Sequence, residues 1–412
     1  MKENFKRKVL KNGLTIIFEK RDIPVVSMAI AVRAGGVNEE LHEKGISHFI
    51  EHMLYKGTEK RNARKIAEDI EKNGGDMNGF TSEEITAFWC KMPSKNIELG
   101  LDVLGDIVKN SLFDEKELEK ERQVIFEEIK MLKDNPRMHV FHEIQKFLYD
   151  GTMEISLAGN EETMNEITRD SMVKKFKEVY NPKNMVLCCV GDYDFDKLIK
   201  FAEDNFSGGG KEVKYKEFGL KNESHTEERK GIDQANLILA YHTPLAEDVK
   251  SAASQVLITL MAGGLSSRLF AEIREKRNLV YSIRGEANIN KTHSYSVVYA
   301  ATGKENVEKV KGLILDEYKK VSEELGEEEL NQIKEQLIGN YHISMEDSQV
   351  QMVNLLAEEI VGDASKYYDF EKDISNVKLE DVKELAKKVA EGNYSFFALV
   401  PEGKCRSHRH IS

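Results

Sequence analysis

The 412-residue chain predicts an α+β protein of two homologous domains, each a mixed, mainly antiparallel β-sheet with helices packed on one side. A chain of this length, 40% hydrophobic, exceeds what one core holds and should divide. Apolar runs with strand character alternate with segments of helical periodicity along its whole length. The two halves also match each other. Met28-Ala29-Ile30-Ala31-Val32 aligns with Leu237-Ile238-Leu239-Ala240-Tyr241, and Asn184 to Gly191 aligns with Asn393 to Val400, both at a spacing of 209 residues. A constant spacing across two distant segments marks a duplicated fold.

Taken in order, Leu14 to Glu19 and Val25 to Val32 read as strands, being apolar and rich in β-branched residues. Gly45 to Gly57 carries a helix, and Ala63 to Asn73 and Ile97 to Asn110 read as two more. Asp114 to Asp134 reads as a long helix: Asp114 and Glu117 form a capping box, Leu118, Val124, Ile125, Ile129 and Leu132 give the apolar stripe, and Asn135-Pro136 stops it. Met185 to Gly191 is a strand. The following stretch to Arg229 opens with Ser207-Gly208-Gly209-Gly210 and is dense in Lys and Glu, which reads as a linker. The division is therefore 1–206, a linker at 207–229, a second domain at 230–404, and a tail at 405–412 that resembles a cloning remnant, so its histidines are set aside.

Within the first helix, His48, Glu51 and His52 form H-x-x-E-H. Positions i, i+3 and i+4 share one helix face, so two imidazoles can grip one ion while the carboxylate between them addresses its open position. Two histidines on one face also occur in ordinary amphipathic helices, and a third ligand decides between the readings. Glu121 and Glu128 lie seven residues apart on the 114–134 helix and project from nearly one face.

With 75 residues between His52 and Glu128, and with Glu121-Arg122-Gln123-Val124-Ile125-Phe126-Glu127-Glu128 around the second, the chain resembles the pitrilysin and insulinase family of zinc metallopeptidases, the inverzincins. The resemblance implies His48, His52 and Glu128 as ligands of Zn2+, Glu51 as general base and Glu121 as a supporting glutamate, with Glu127 left on the surface. Two further segments are similar to the family's. Gly74-Gly75-Asp76-Met77-Asn78-Gly79-Phe80-Thr81-Ser82 resembles its turn into an edge strand, where Asn78, Gly79 and Phe80 would lie along an extended peptide. Gly79 stands where the family usually has alanine, and Phe80 reads equally as pocket lining or core. Gly264-Leu265-Ser266-Ser267-Arg268-Leu269-Phe270 through Tyr281-Ser282 resembles the C-terminal signature, with Asn278 in place of glycine. That match implies that Arg274 and Tyr281 hold the substrate backbone and its polarised carbonyl; taken alone, Arg274-Glu275-Lys276-Arg277 is a basic surface patch.

The chemistry fits these residue types. Two imidazoles and one carboxylate leave zinc with a free position, the mark of a catalytic site, and an unspent glutamate beside it can move protons. A spacing of 209 carries His48, Glu51 and His52 onto Leu257, Leu260 and Met261, so one zinc per chain is expected, with the second half as a substrate-binding partner. The expected activity is endopeptidase cleavage of unfolded or extended peptides. Because the family's chambers are built from four such domains, the resemblance implies a homodimer, or pairing with a non-catalytic homologue. The alternative is a non-catalytic peptide-binding or assembly subunit, which loss of a ligand would have favoured.

Composition mainly excludes. A net charge of −12 argues against nucleic-acid binding. Cys90, Cys188, Cys189 and Cys405 show no metal-ligand spacing, and Cys188-Cys189 falls in a strand that reads as buried. No membrane span or secretion signal is visible, so a cytoplasmic location is expected.

Overall fold

The computed structural model describes residues 2–403, and the tail at 405–412 with Cys405 lies outside them. Eleven strands form two sheets among the described residues. The first contains β1 (Phe5–Val9), β2 (Thr15–Lys20), β3 (Val25–Val32), β4 (Asp76–Thr81), β5 (Thr86–Pro93) and β6 (Met185–Gly191), in the order β1-β2-β6-β3-β5-β4. The second contains β7 (Ser224–Arg229), β8 (Ala235–His242), β9 (Val280–Ile289), β10 (Ser294–Thr302) and β11 (Ser395–Pro401), in the order β7-β11-β8-β10-β9. Each sheet has a single parallel pair, β2 with β6 and β7 with β11, and is otherwise antiparallel.

The duplication holds at the level of register. Ala31 pairs with Val186 in the first sheet and Ala240 with Ser395 in the second, each partner displaced by 209 residues. Asn184 donates to the Val179 carbonyl and Asn393 to the Lys388 carbonyl, both at 3.0 Å and again 209 apart.

On one face of the first sheet, Met28, Ile30 and Val32 pack with residues of α1 (Ile46–Leu54), α2 (Ala63–Glu71), α3 (Ile97–Asn110) and α4 (Glu115–Asp134) in one buried cluster. The helix α5 (Pro136–Leu148) follows, and Asn135, which stops α4, caps it by accepting from the N–H groups of Arg137 and Met138. Asp114 caps α4 through the N–H groups of Lys116 and Glu117, but the reciprocal half of the expected capping box is absent because Glu117 pairs with Lys120 instead.

Since strand side chains alternate, the other face of the first sheet presents Ala29, Ala31, Cys188 and Trp89. The sequence reading put helices on one side only; this second face is covered by the helix Ser348–Val361 through Met352, Leu355, Leu356 and Ile360. Buried Glu359 locks that helix down, taking Arg7 at 2.7 Å and Arg33 at 2.7 Å. The second sheet is treated likewise: Phe147 of α5 stacks on Phe397, while the adjacent Phe396 turns to Lys311 on the opposite face. Each sheet thus receives one helix from the other half of the chain.

This exchange corrects the contiguous domain division. One compact unit consists of residues 1–130, 155–216 and 341–370, and the other of 131–154, 217–340 and the remainder from 371. The 207–229 linker is also corrected, because Ser224–Arg229 is strand β7, paired with β11. Its polar composition disguised it. An edge strand exposed along one side can be written His225-Thr226-Glu227-Glu228-Arg229 without burying a charge. Cys188 and Cys189 are fully buried in β6, as expected. Among the described residues no helix is long and apolar enough to cross a membrane.

Candidate metal centre

The site begins with how α1 is held. Gly45, at φ 97°, occupies a left-handed conformation that suits glycine, and the helix starts at the next residue. With no side-chain cap available from glycine, the free N–H groups of the first turn are taken by Glu39, which accepts from Gly45 N at 3.0 Å and Ser47 N at 2.7 Å. Glu39 is fully buried, and so is Lys44, whose ammonium lies 3.7 Å from Glu39 and 3.2 Å from Glu83 while donating to the Gly36 carbonyl. Removing one member of such a buried set costs about 3–5 kcal/mol, because the other charge is left unpaired.

On this helix His48 and His52 stand edge to face with ring centres 4.6 Å apart. Glu128 reaches across from α4, its Oε2 lying 3.7 Å from His48 Nε2 and 3.6 Å from His52 Nε2. One donor atom from each of the three falls within 4.8 Å of the others, and this is the one such group among the described residues. The set is what a zinc ion takes: two imidazole nitrogens and one carboxylate oxygen, with room for a fourth ligand. The equivalent positions of the second half, Leu257, Leu260 and Met261, are buried core of the helix Ser251–Ala262.

Around the donors, Glu121 Oε2 lies 3.2 Å from His52 Nδ1, and Glu121 Oε1 lies 2.6 Å from Lys56 Nζ. A carboxylate at Nδ1 holds the proton there and leaves Nε2 as the free lone pair. Arg122, next in sequence, serves α4 itself: its guanidinium donates to the Met164 and Ile167 carbonyls and lies over the Phe49 ring. Glu127 is exposed and pairs with Lys130.

Glu51 is buried and accepts from Thr81 Oγ1 at 2.7 Å. Burial raises its pKa, with Thr81 and His52 pulling it back and Glu128 adding to the rise. Burial also lifts the phenols of Tyr55 and Tyr180, and the charge of Glu51 lifts them further, so both remain protonated beside it.

The edge strand β4 explains the glycine. A Cβ at position 79 would stand 2.7 Å from the Tyr55 hydroxyl and 2.9 Å from Glu51 Oε1, so Gly79 leaves both groups where they are. Gly79 and Thr81 face Glu51, and Phe80, by alternation, packs on the opposite cluster with Ile85 and Ala87. The Phe80 ring therefore belongs to core packing, while the β4 backbone stays available along its unpaired side, since β4 pairs with β5 alone. Asn78 is exposed, its Oδ1 accepting from the Gly79 N–H.

Arg274 and Tyr281 stand in the second unit, both exposed. Arg274 lies on a π-helical turn, Phe270–Glu275, with its guanidinium 4.9 Å from the Phe270 ring centre. The turn closes at Asn278, whose φ of 52° is the conformation that favours glycine and that asparagine tolerates best among other residues. That accounts for the one departure in the signature.

Three features escaped the sequence reading: the Glu39–Lys44–Glu83 set, Lys56 on Glu121, and Thr81 on Glu51. Lys56 lies in the turn just after α1, which ends at Leu54, so helical periodicity does not point to its contact with Glu121.

Fold and centre together define a metallopeptidase-type protein whose His-His-Glu donor group lies in its first half. Residues 15–161 match the model of the insulinase family, peptidase family M16, and residues 166–337 match the M16 peptidase inactive domain. An uncharacterized zinc protease of Rickettsia felis is 33% identical over 332 residues, covering 79% of this chain and 80% of that one. Another, from Bacillus subtilis, is 34% identical over 311 residues, covering 74% and 75%. A protease from Helicobacter pylori has the same fold, with a TM-score of 0.89 at 22% identity, covering 96% of this chain and 99% of that one. The chain belongs to the M16 insulinase-type peptidase family.

His48 also makes the metal-free protein sensitive to acid. Burial and the neighbouring His52 lower its pKa from 6.5 to about 4. Between those values the unfolded chain binds a proton at this residue and the folded chain does not. Stability is therefore complete above pH 6.5 and lost as the pH falls toward about 4, by about 3 kcal/mol from this group. Urea melts of chelator-treated protein at pH 7 and pH 4.5 should show the drop, and His48→Gln should reduce it; an unchanged drop would assign it elsewhere.

Proposed function

We propose that this chain is a zinc-dependent endopeptidase that cuts unfolded or extended peptides, with Glu51 as general base. The observation that carries this is the division of labour at the centre: His48, His52 and Glu128 converge as donors, while Glu51 stands beside them, outside the donor set and hydrogen-bonded to Thr81. When bound, zinc supplies Lewis acidity that brings the pKa of a water toward about 7. Glu51, whose raised pKa suits it to accept a proton and give it up again, takes that proton and delivers it to the leaving amine. Glu121 keeps His52 in its metal-binding tautomer. The free side of β4 offers backbone groups to a substrate strand, and such pairing tolerates many sequences. Because that pairing needs an extended chain, the protein should degrade a reduced, unfolded polypeptide and largely spare its native form, in a reaction abolished by chelation. Equal rates on both forms would contradict the reading.

We also propose a homodimer in which Arg274 and Tyr281 of one chain serve the zinc centre of its partner, the exposed guanidinium and phenol being donors for a developing oxyanion. Glu51→Gln and Arg274→Ala should each be nearly inactive alone, and after subunit exchange the mixture should recover activity, because one site of the mixed dimer is then whole. Loss of a charge-assisted contact costs roughly tenfold or more in rate, so rescue is measurable. No recovery after verified exchange would place these residues with their own chain's centre.

A further inference from the structure

The duplication leaves the second unit with a groove that the first keeps filled. In the first unit Asn184, besides holding the Val179 carbonyl, donates to the Lys211 carbonyl at 3.0 Å and accepts from the Val213 N–H at 2.9 Å. Asn181 also donates to Lys211 O and Asn38 to Lys214 O, while Val213 packs on the core. Residues 211–214 are thus seated on that unit through their backbone, with the Asn184 carboxamide as the central clamp.

The counterpart of Asn184 is Asn393, which makes the matching bond to the Lys388 carbonyl at 3.0 Å. Among the described residues no segment is seated on it. Instead Asn393 lines a cavity of about 380 Å³ with Asn222, His242, Thr243, Leu385 and Val389. Leu385 and Val389, which line it, are the smaller counterparts of Phe176 and Tyr180, whose rings stack at 4.5 Å in the first unit. Beneath the surface of the cavity, His242 Nδ1 and Thr243 Oγ1 are buried without a hydrogen-bond partner. Because His242 Nε2 lies 2.9 Å from the Lys221 carbonyl and donates to it, Nδ1 is an acceptor. Buried polar atoms ordinarily have partners, and the two residues that carry these atoms both line the cavity.

We propose that this groove binds an extended peptide segment, with the Asn393 carboxamide taking its backbone as Asn184 takes 211–213. That the occupant is an extended peptide follows from the duplication; that it is part of a substrate rests on the peptidase reading. Such a site gives a long substrate a second hold on the enzyme in addition to the β4 edge.

The test uses the full chain carrying Glu51→Gln, so that nothing is cut, and a fluorescein-labelled peptide of residues 210–218 with a benzophenone side chain in place of Tyr215. Saturable binding is expected, with photo-crosslinks in 241–244 and 385–393. Asn393→Ala removes the clamp and Asn222→Trp blocks the mouth; both positions are exposed, so the fold is retained. Each should weaken binding by roughly fivefold or more, with zinc content and melting temperature unchanged. No binding, binding indifferent to both substitutions, or crosslinks confined to 76–81 would overturn the groove. The last outcome would leave the peptidase reading standing, whereas groove crosslinks together with failure of the unsubstituted chain to cut any peptide would sink that reading and keep the groove.

Discussion

Replacing Glu51 with glutamine is expected to leave zinc in place and to remove peptide hydrolysis, with kcat/KM falling by roughly 10²–10⁴, the range that a positioned general base contributes. The two halves of this expectation rest on different contacts. Retention of metal follows because Glu51 supplies no donor to the group formed by His48, His52 and Glu128. Loss of activity follows because an amide of the same shape keeps the Thr81 contact and the packing near Gly79 but cannot accept a proton from water. Metal analysis of the purified variant, paired with cleavage of an unstructured fluorogenic peptide, reads both at once. Near-normal cleavage would remove Glu51 from the mechanism, and loss of zinc would make it a ligand.

How much of this centre could be read from the sequence depended on how local each contact is. His48, Glu51 and His52 are legible because helical periodicity alone puts them on one face, and Glu121 and Glu128 because they share a face two turns apart. The strands Val25–Val32 and Met185–Gly191 announced themselves as apolar runs buried on both faces. What covers their second face was not legible. The helix Ser348–Val361 lies about 160 residues beyond Met185, and periodicity says that a helix is amphipathic without saying which sheet it meets. Charged residues failed for a related reason. Residues of the types of Glu39, Lys44 and Glu83 usually lie at the surface, and only the three-dimensional meeting of an ammonium with two carboxylates allows all three to be buried. Thr81 belonged to a recognised segment, but a hydroxyl in a strand carries no mark of the carboxylate it will meet.

The second large effect should separate a ligand from its support. Glu128→Gln replaces a carboxylate that lies between both imidazoles with a weakly donating amide, so the centre is left with two strong donors, fewer than zinc sites keep. Purified Glu128→Gln should hold less than about a tenth of the zinc of the unsubstituted chain after dialysis against a weak chelator, with activity falling at least in proportion. Glu121→Gln touches the metal only through His52. The amide can still meet Nδ1, but it no longer supplies the negative charge that fixes the tautomer and answers Lys56, so zinc affinity should fall by about 10–100-fold, as for other partners of metal-bound histidines. Excess zinc distinguishes the two. It should restore much of the activity of Glu121→Gln, whose donors are intact, and little of that of Glu128→Gln, whose coordination is incomplete. Equal rescue of both would mean that Glu128 is not the third ligand, and failure to rescue Glu121→Gln would give that residue a part in the chemistry itself.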